Sequence, residues 1–376
     1  MKKDYLTIIA LFFIVVIAIF GGIFIGNKNA REWANKKLFK NSVSESELTK
    51  ISIDENDKLS CYAYGNYIAT LSNNSLKIYN NSGSQVTEIN VQVQNPKFES
   101  KKNYLLLADE GGSNLYLIYN TSLQWKKEIE GSISQITIND NGAVGVAISG
   151  TTYKTVIAMY DITGSEEFKT YLSTNVASDL TISPDNRYLS FAETDSTGTV
   201  IKTIIKTIQV DKAKSSPDEA IVAKYENTNH LLLNIEYNNN RLTAFYDNCI
   251  KTLSKNEDKT ILEINDKISF TDITIENYVC CINEYSESVL NNKYALQFIN
   301  TKNQKINTYE IENSVKKLYS DYNVACLDMG NEIRIVNTKG WLVKTITTEQ
   351  QSTKDILIGN SVIGIVYKDR IEIVKI

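Results

Sequence analysis

Residues Gln94–Ile129 read QNPKFESKKNYLLLADEGGSNLYLIYNTSLQWKKEI, and this stretch decides the fold. Four runs stand out in it: QNPKFE, NYLLLAD, NLYLIYN and LQWKKEI. They are joined by Glu99-Ser100-Lys101-Lys102, by Glu110-Gly111-Gly112 and by Thr121-Ser122. Short apolar or alternating runs separated by Gly, Asn, Asp and Ser spell strands and tight turns. Nowhere after about residue 48 do apolar residues keep a helical period over three turns.

The same grammar recurs along the chain. Residues 134–172 give SQITIND, AVGVAIS, TVIAMYDI and EEFKTYL, and a third unit begins ASDLTISPDNRYLSFAET at Ala177. Further units align near 229–264, 267–311 and 315–346, and an earlier one opens CYAYGNYIATL at Cys61. A period of about 35–48 residues with four strands each is that of β-propeller blades. The last unit has only three strands, near 353–358, 361–367 and 370–376, while a spare strand, LTKISID, stands at 48–54. If the spare strand completes the last blade, hydrogen bonds join the two ends of the ring and remove its exposed edges. The expected fold is therefore all-β, a seven- or eight-bladed propeller. Eight is favoured, and the unit around 195–225, with its long TVIKTIIKTIQV run, is the one that leaves seven open.

Two turns between first and second strands carry a common marker: Ile138-Asn139-Asp140-Asn141-Gly142 and Ile182-Ser183-Pro184-Asp185-Asn186-Arg187. Proline presets φ, aspartate bonds nearby backbone N–H groups, and Asn or Gly tolerates the left-handed position. The second marker resembles the Ser-Pro-Asp-Gly turn of WD-repeat and related propellers. Over about 325 residues the body resembles the superfamily that includes WD-repeat and quinoprotein-like domains. One apolar segment followed by a divergent propeller is also similar to an uncharacterised family of single-span membrane proteins from low-GC Gram-positive bacteria. That resemblance implies a membrane-anchored ring and no particular activity.

The apolar segment is Leu6–Ile25, LTIIALFFIVVIAIFGGIFI, which has no charged residue. About twenty such residues in a helix span a hydrocarbon core of ~30 Å. A cleaved signal peptide has a shorter apolar run and a small-x-small exit, whereas here Lys28 occupies one of the small positions. An uncleaved transmembrane helix is expected. Basic residues flank it on both sides, Lys2 and Lys3 before and Lys28, Arg31, Lys36, Lys37 and Lys40 after. Counted literally, the positive-inside rule keeps the body in the cytoplasm. A very short basic tail before a first apolar segment is instead the layout of an anchor whose body is exported, and that is the orientation taken. Residues 1–26 are thus read as cytoplasmic tip and anchor, 27–47 as a juxtamembrane linker or short helix, and 48–376 as the propeller.

Composition narrows the function. A formal net charge of -4 and no basic stripe argue against nucleic acid as a partner. The single histidine, His230, begins an apolar strand, NHLLLNIEY, with no nucleophile elbow beside it. Cys61, Cys249, Cys280, Cys281 and Cys326 fall in or beside strands and have neither CxxC nor zinc spacing. They read as small core residues, with adjacent Cys280 and Cys281 on opposite faces. Asp109-Glu110-Gly111-Gly112 lacks the acidic ladder of a calcium loop and reads as a hairpin turn. Glu166 and Glu167, neighbours on one strand, face apart. No phosphate-cradling glycine loop is present.

No catalytic, cofactor-binding or metal-binding residue is therefore assigned, and no cofactor is expected. The expected function is a non-catalytic binding or scaffolding module on the cell membrane, its propeller outside the cytoplasm. The expected partners are the lipid bilayer through residues 6–25 and a protein or envelope polymer. The alternative is a membrane-tethered enzyme whose active site is assembled in the central funnel from loops of several blades.

Overall fold

The run Tyr104–Asp109 has no polar face, and in the computed structural model both of its faces are covered. Side chains alternate along a strand. Leu105 and Leu107 pack toward the preceding sheet, with Ala69, Leu76 and Ile78; Leu106 and Ala108 pack toward the following one, with Ile136, Val144 and Val146. A strand buried on both faces can be apolar throughout, which accounts for the LLLA run. The structure describes residues 14–15, 42–43, 48–55, 58–195, 198, 200–216, 219–254, 257–288, 291–348 and 353–376.

Eight sheets form a ring of blades. Blades 1 to 7 occupy residues 60–90, 96–128, 132–172, 176–228, 232–263, 268–311 and 317–347, and blade 8 residues 355–375 together with Thr49–Ser52. Within each blade four antiparallel strands follow one another outward, and the first strands of successive blades are neighbours around the axis. Each of the eight junctions between blades encloses its own apolar cluster. The core is consequently a set of wedges rather than one central mass, and the axis is left to the first strands.

The stretch around 195–225 resolves in favour of eight blades. Lys202–Gln209 and Ile221–Thr228 are the third and fourth strands of blade 4, with one helical turn, Val210–Ala213, between them. The ring closes as the sequence implies. Thr49–Ser52 lies antiparallel to Arg370–Lys375, pairing Thr49 with Ile373 and Ser52 with Arg370. Ile51 is buried there beside Ile371, Ile373 and, from blade 1, Ile68.

Two features depart from the sequence reading. Strand Pro96–Lys101 continues through Glu99, Ser100 and Lys101, which had looked like a turn; the turn contracts to Lys102 and Asn103, with Lys102 at φ 50°. Ser42–Val43, within the expected linker, adds a parallel fifth strand to blade 7 opposite Thr345 and Ile346. Among the described residues no helix is long and apolar enough to cross a membrane. The expected span, Leu6–Ile25, lies outside the described residues apart from Ile14 and Val15, and so does the expected juxtamembrane linker or short helix, 27–47, apart from Ser42 and Val43.

Candidate functional site

Every turn from a first to a second strand sits at one mouth of the central channel, and each carries asparagine: Asn66, Asn103, Asn141, Asn186, Asn239, Asn277, Asn323 and Asn360. Such tight turns need a residue at positive φ, which Gly and Asn accept most readily. Gly65, Lys102, Gly142, Asn186, Asn239, Asn277 and Tyr322 fill that place in blades 1 to 7. Gly142 has a second constraint, because a Cβ there would lie 2.9 Å from the Tyr104 ring.

The turns are tied to one another. Asn139 Nδ2 donates to Ser183 O at 2.9 Å, and Asn141 Nδ2 to Pro184 O at 2.7 Å, linking the two marker turns of blades 3 and 4. Asn360 N donates to Gly65 O at 2.6 Å across the closing junction. Tyr322 of blade 7 reaches further: its hydroxyl accepts from Gly65 N of blade 1 and donates to Lys102 O of blade 2, both at 3.0 Å. A rim of mutually bonded turns holds its side chains in place without help from a ligand.

Inside this rim is a cavity of about 440 Å³ with lining residues from blades 2 to 8. Its floor is crossed by an ion pair. Lys101 Nζ of blade 2 donates to Glu236 Oε1 of blade 5 at 2.6 Å, over the heads of blades 3 and 4. Further carboxylates stand on the first strands: Glu99, Asp179, Asp272 and Asp321.

Burial governs how these groups titrate. It pushes Glu99 up to about 8, with the Glu236 charge adding to the effect and Lys101 opposing it. Asp179 rises to about 7 through burial, although the backbone N–H groups of Ile235 and Leu180 each donate to it at 2.8 Å. Asp321 rises to about 7 and Asp272 also rises, again chiefly through burial. For Lys101 burial acts downward, but the charge and hydrogen bond of Glu236 outweigh it and raise the ammonium. One half-buried ammonium among several carboxyl groups leaves the channel with groups that exchange protons near neutrality, so that its negative charge grows as the pH rises through that range.

The residues singled out in the sequence lie elsewhere. His230 is paired through Nδ1 with Asp247 at 3.1 Å at the start of blade 5. Asp109 accepts from Gln94 N and Asn95 N, at 2.8 and 2.9 Å, and so ties the segment entering blade 2 to the hairpin turn that follows Asp109. Glu166 pairs with Lys169 and Glu167 with Lys214, separately. Cys280 points into the junction of blades 6 and 7 and Cys281 into that of blades 5 and 6; burial raises the Cys281 thiol to about 12. The channel residues were missed because no two carboxylates of the group share a local motif. The signal that finds them is charge at the end of a first strand once the eight units are stacked: FESK, NIEY, FTD and YSD.

Comparison with known structures returns propellers. The C-terminal WD40 domain of Sif2 superposes with a TM-score of 0.56 at 12% identity, covering 87% of this chain and 99% of that one. Chaetomium thermophilum Sqt1, bound to the N-terminus of ribosomal protein L10, gives 0.52 at 12% identity, with 88% and 100% covered. The tricorn protease gives 0.52 at 13% identity, with 82% of this chain and 35% of that chain covered. At such identities the likeness is one of fold, and a fold shared by a WD40 domain and a protease does not by itself specify an activity. No curated protein matches the sequence. The chain belongs to the family of unknown function DUF5711, which it matches over residues 36–376.

Proposed function

We propose that this member of DUF5711 is a non-catalytic binding or scaffolding module, tethered to the cell membrane through residues 6–25, that engages its partner at the asparagine-rimmed mouth. The observation that carries the reading is the 440 Å³ cavity, lined from blades 2 to 8 by donors and acceptors that the turn network already holds in place. Pre-organisation of this kind lowers the ordering cost of binding. The WD40 neighbours support it by analogy: Sqt1 is seen holding a segment of a ribosomal protein. A protein or an envelope polymer is the partner class; the uncharged Leu6–Ile25 run supports single-pass anchoring, and the very short basic tail before it is the ground for placing the propeller outside the cytoplasm.

A photo-crosslinking residue at Asn239 or Asn323, compared with one at Lys77 on the third strand of blade 1, away from the mouth, tests the mouth in intact membranes. Capture of the same partner from both mouth positions, and its loss in Tyr322→Ala, is expected; capture independent of position would sink the proposal. Removal of residues 6–25 should move the protein from the carbonate-washed membrane fraction into the supernatant. Protease added to intact cells should degrade the propeller, and full protection beside a digested surface control would reverse the orientation.

A second reading, a membrane-tethered enzyme acting in the funnel, is favoured by one observation. Asp179 and Asp321 are pushed to about 7 and Glu99 to about 8, the range useful to general acids and bases. It predicts that a captured ligand is chemically altered by the wild-type protein and left intact by Asp321→Asn.

A further inference from the structure

The cavity and the strands beneath it hold more carboxyl groups than cations. Lys102 is matched by Asp140 at 3.2 Å and Lys101 by Glu236 at 2.6 Å. Glu276 and Asp321 on the lining, and Glu99, Asp179 and Asp272 on the first strands, make no ion pair among the described residues. These carboxylates are spread around the wall. Among the described residues no three acidic, cysteine or histidine side chains gather as a metal-ligating set. A dispersed negative field suits an extended organic cation better than a small divalent ion, which needs its oxygens at one point.

A second observation is independent of charge. Ser100 Oγ, on the cavity lining, is buried and completes no hydrogen bond of normal geometry, although the hydroxyls of Tyr62 and Tyr322 stand near it. A buried hydroxyl without a well-formed bond is costly and stands ready to accept from an N–H donor. The lining also offers Tyr237 and Tyr322, aromatic rings of the type that attract ammonium and guanidinium groups. Finally, the chain places a cation of its own at this depth: the Lys101 ammonium is held between carboxylates and is made a stronger base by them.

We propose that the cavity binds an alkylammonium or guanidinium group, carried by a free polyamine or by a Lys or Arg side chain of a peptide, in competition with the ammonium of Lys101. The inference rests on reading the mouth as a binding site and names the chemistry that site selects. Glu236 and Asp321 receive the charge, Ser100 accepts one of its N–H bonds, and Lys101 lowers the affinity by occupying part of the same field.

The test uses the full-length protein in lipid nanodiscs, with spermidine, hexalysine and hexaglutamate as probes in calorimetry and thermal melts. At least one cation should bind and hexaglutamate should not. Each of Glu236→Gln and Asp321→Asn should weaken cation binding by about tenfold, as expected for loss of a charge-assisted contact. Lys101→Met should bind more tightly and show a larger ligand-induced rise in melting temperature than the wild type. If Lys101→Met does not fold, the two carboxylate variants decide. Binding of spermidine alone identifies a free polyamine; binding of hexalysine alone identifies a peptide side chain. The inference is overturned if neither cation binds, if hexaglutamate binds as well, or if the carboxylate variants leave affinity unchanged. Should crosslinking capture a partner at the mouth while both cations fail, this inference falls and the binding-module reading stands. Should the cations bind while capture proves independent of position, the reverse holds.

Discussion

Lys101 Nζ and Glu236 Oε1 are 2.6 Å apart although two whole blades separate their strands around the ring. The pair is a chord across the channel, and its members differ in what they leave behind. Without Glu236, Lys101 still feels the charges of Glu99 and Asp321; without Lys101, three carboxylates face one another. Both side chains keep some solvent contact, so the cost is below that of a fully buried pair. Urea unfolding should show Glu236→Gln destabilised by about 1–2 kcal/mol and Lys101→Met by more, about 2–3 kcal/mol. Equal losses would mean that the surrounding carboxylates do not share Lys101.

Stability should fall as pH rises through neutrality. Glu99 is pushed up to about 8 in the folded protein, against about 4.3 for an unfolded glutamate. The native state therefore keeps a proton that the unfolded state releases, and stability declines with rising pH between these values. Asp179 and Asp321 act in the same direction up to about 7. Glu99→Gln should raise the urea midpoint at pH 8.5, with a gain that shrinks toward pH 5. A gain independent of pH would remove Glu99 from the titrating set.

Asn139 and Asn141 look equivalent in the sequence marker, and their substitution should not be. Asn139 is 2% exposed; its Oδ1 accepts from Asn141 N and Ala143 N, both at 3.0 Å, and its amide donates to Ser183 O. Asn139→Ala strands those groups and should cost about 2–4 kcal/mol. Asn141 is exposed, and its amide donates to Pro184 O at 2.7 Å and, at the long distance of 3.4 Å, to Asn186 Oδ1, so Asn141→Ala should cost about 0.5–1 kcal/mol. Thermal melts of the two variants side by side give the comparison.

The closing strand should be indispensable despite its four residues. Ile51→Ala removes a buried side chain from the junction of blades 8 and 1 and should cost about 2–4 kcal/mol. A protein starting at residue 48 should remain monomeric and fold cooperatively, whereas one starting at residue 55 should aggregate through the edge left on Arg370–Lys375. A stable, monomeric 55–376 protein would contradict closure by this strand.

The fold was legible because its determinants are local. Turn residues, two-faced apolar runs such as Leu105–Ala108 and the spare strand at 48–54 are each readable within ten residues. The stretch 195–225 was harder, since the third strand of blade 4 runs into a helical turn before the fourth. The candidate site was not legible, for a physical reason. Glu99, Asp179, Glu236 and Asp321 come from blades 2, 4, 5 and 7 and meet only through the curvature of the ring. Taking Glu99–Lys101 as a turn removed the two residues of blade 2 that matter most, because charged residues at a strand end look like solvent-facing turn in a single sequence.

The parallel strand Ser42–Val43 has a mechanical consequence. It is bonded to the outer edge of blade 7, whereas the seam of the ring is made a few residues later, by Thr49–Ser52 on blade 8. Tension arriving from the N-terminal side thus meets a two-residue clip before it reaches the seam. The clip can yield at the cost of a few backbone bonds, and its release lengthens the segment that leads into the ring while the ring stays shut. A pulling experiment with the force applied N-terminal to Ser42 should accordingly record one small, reversible extension ahead of the rupture of any blade.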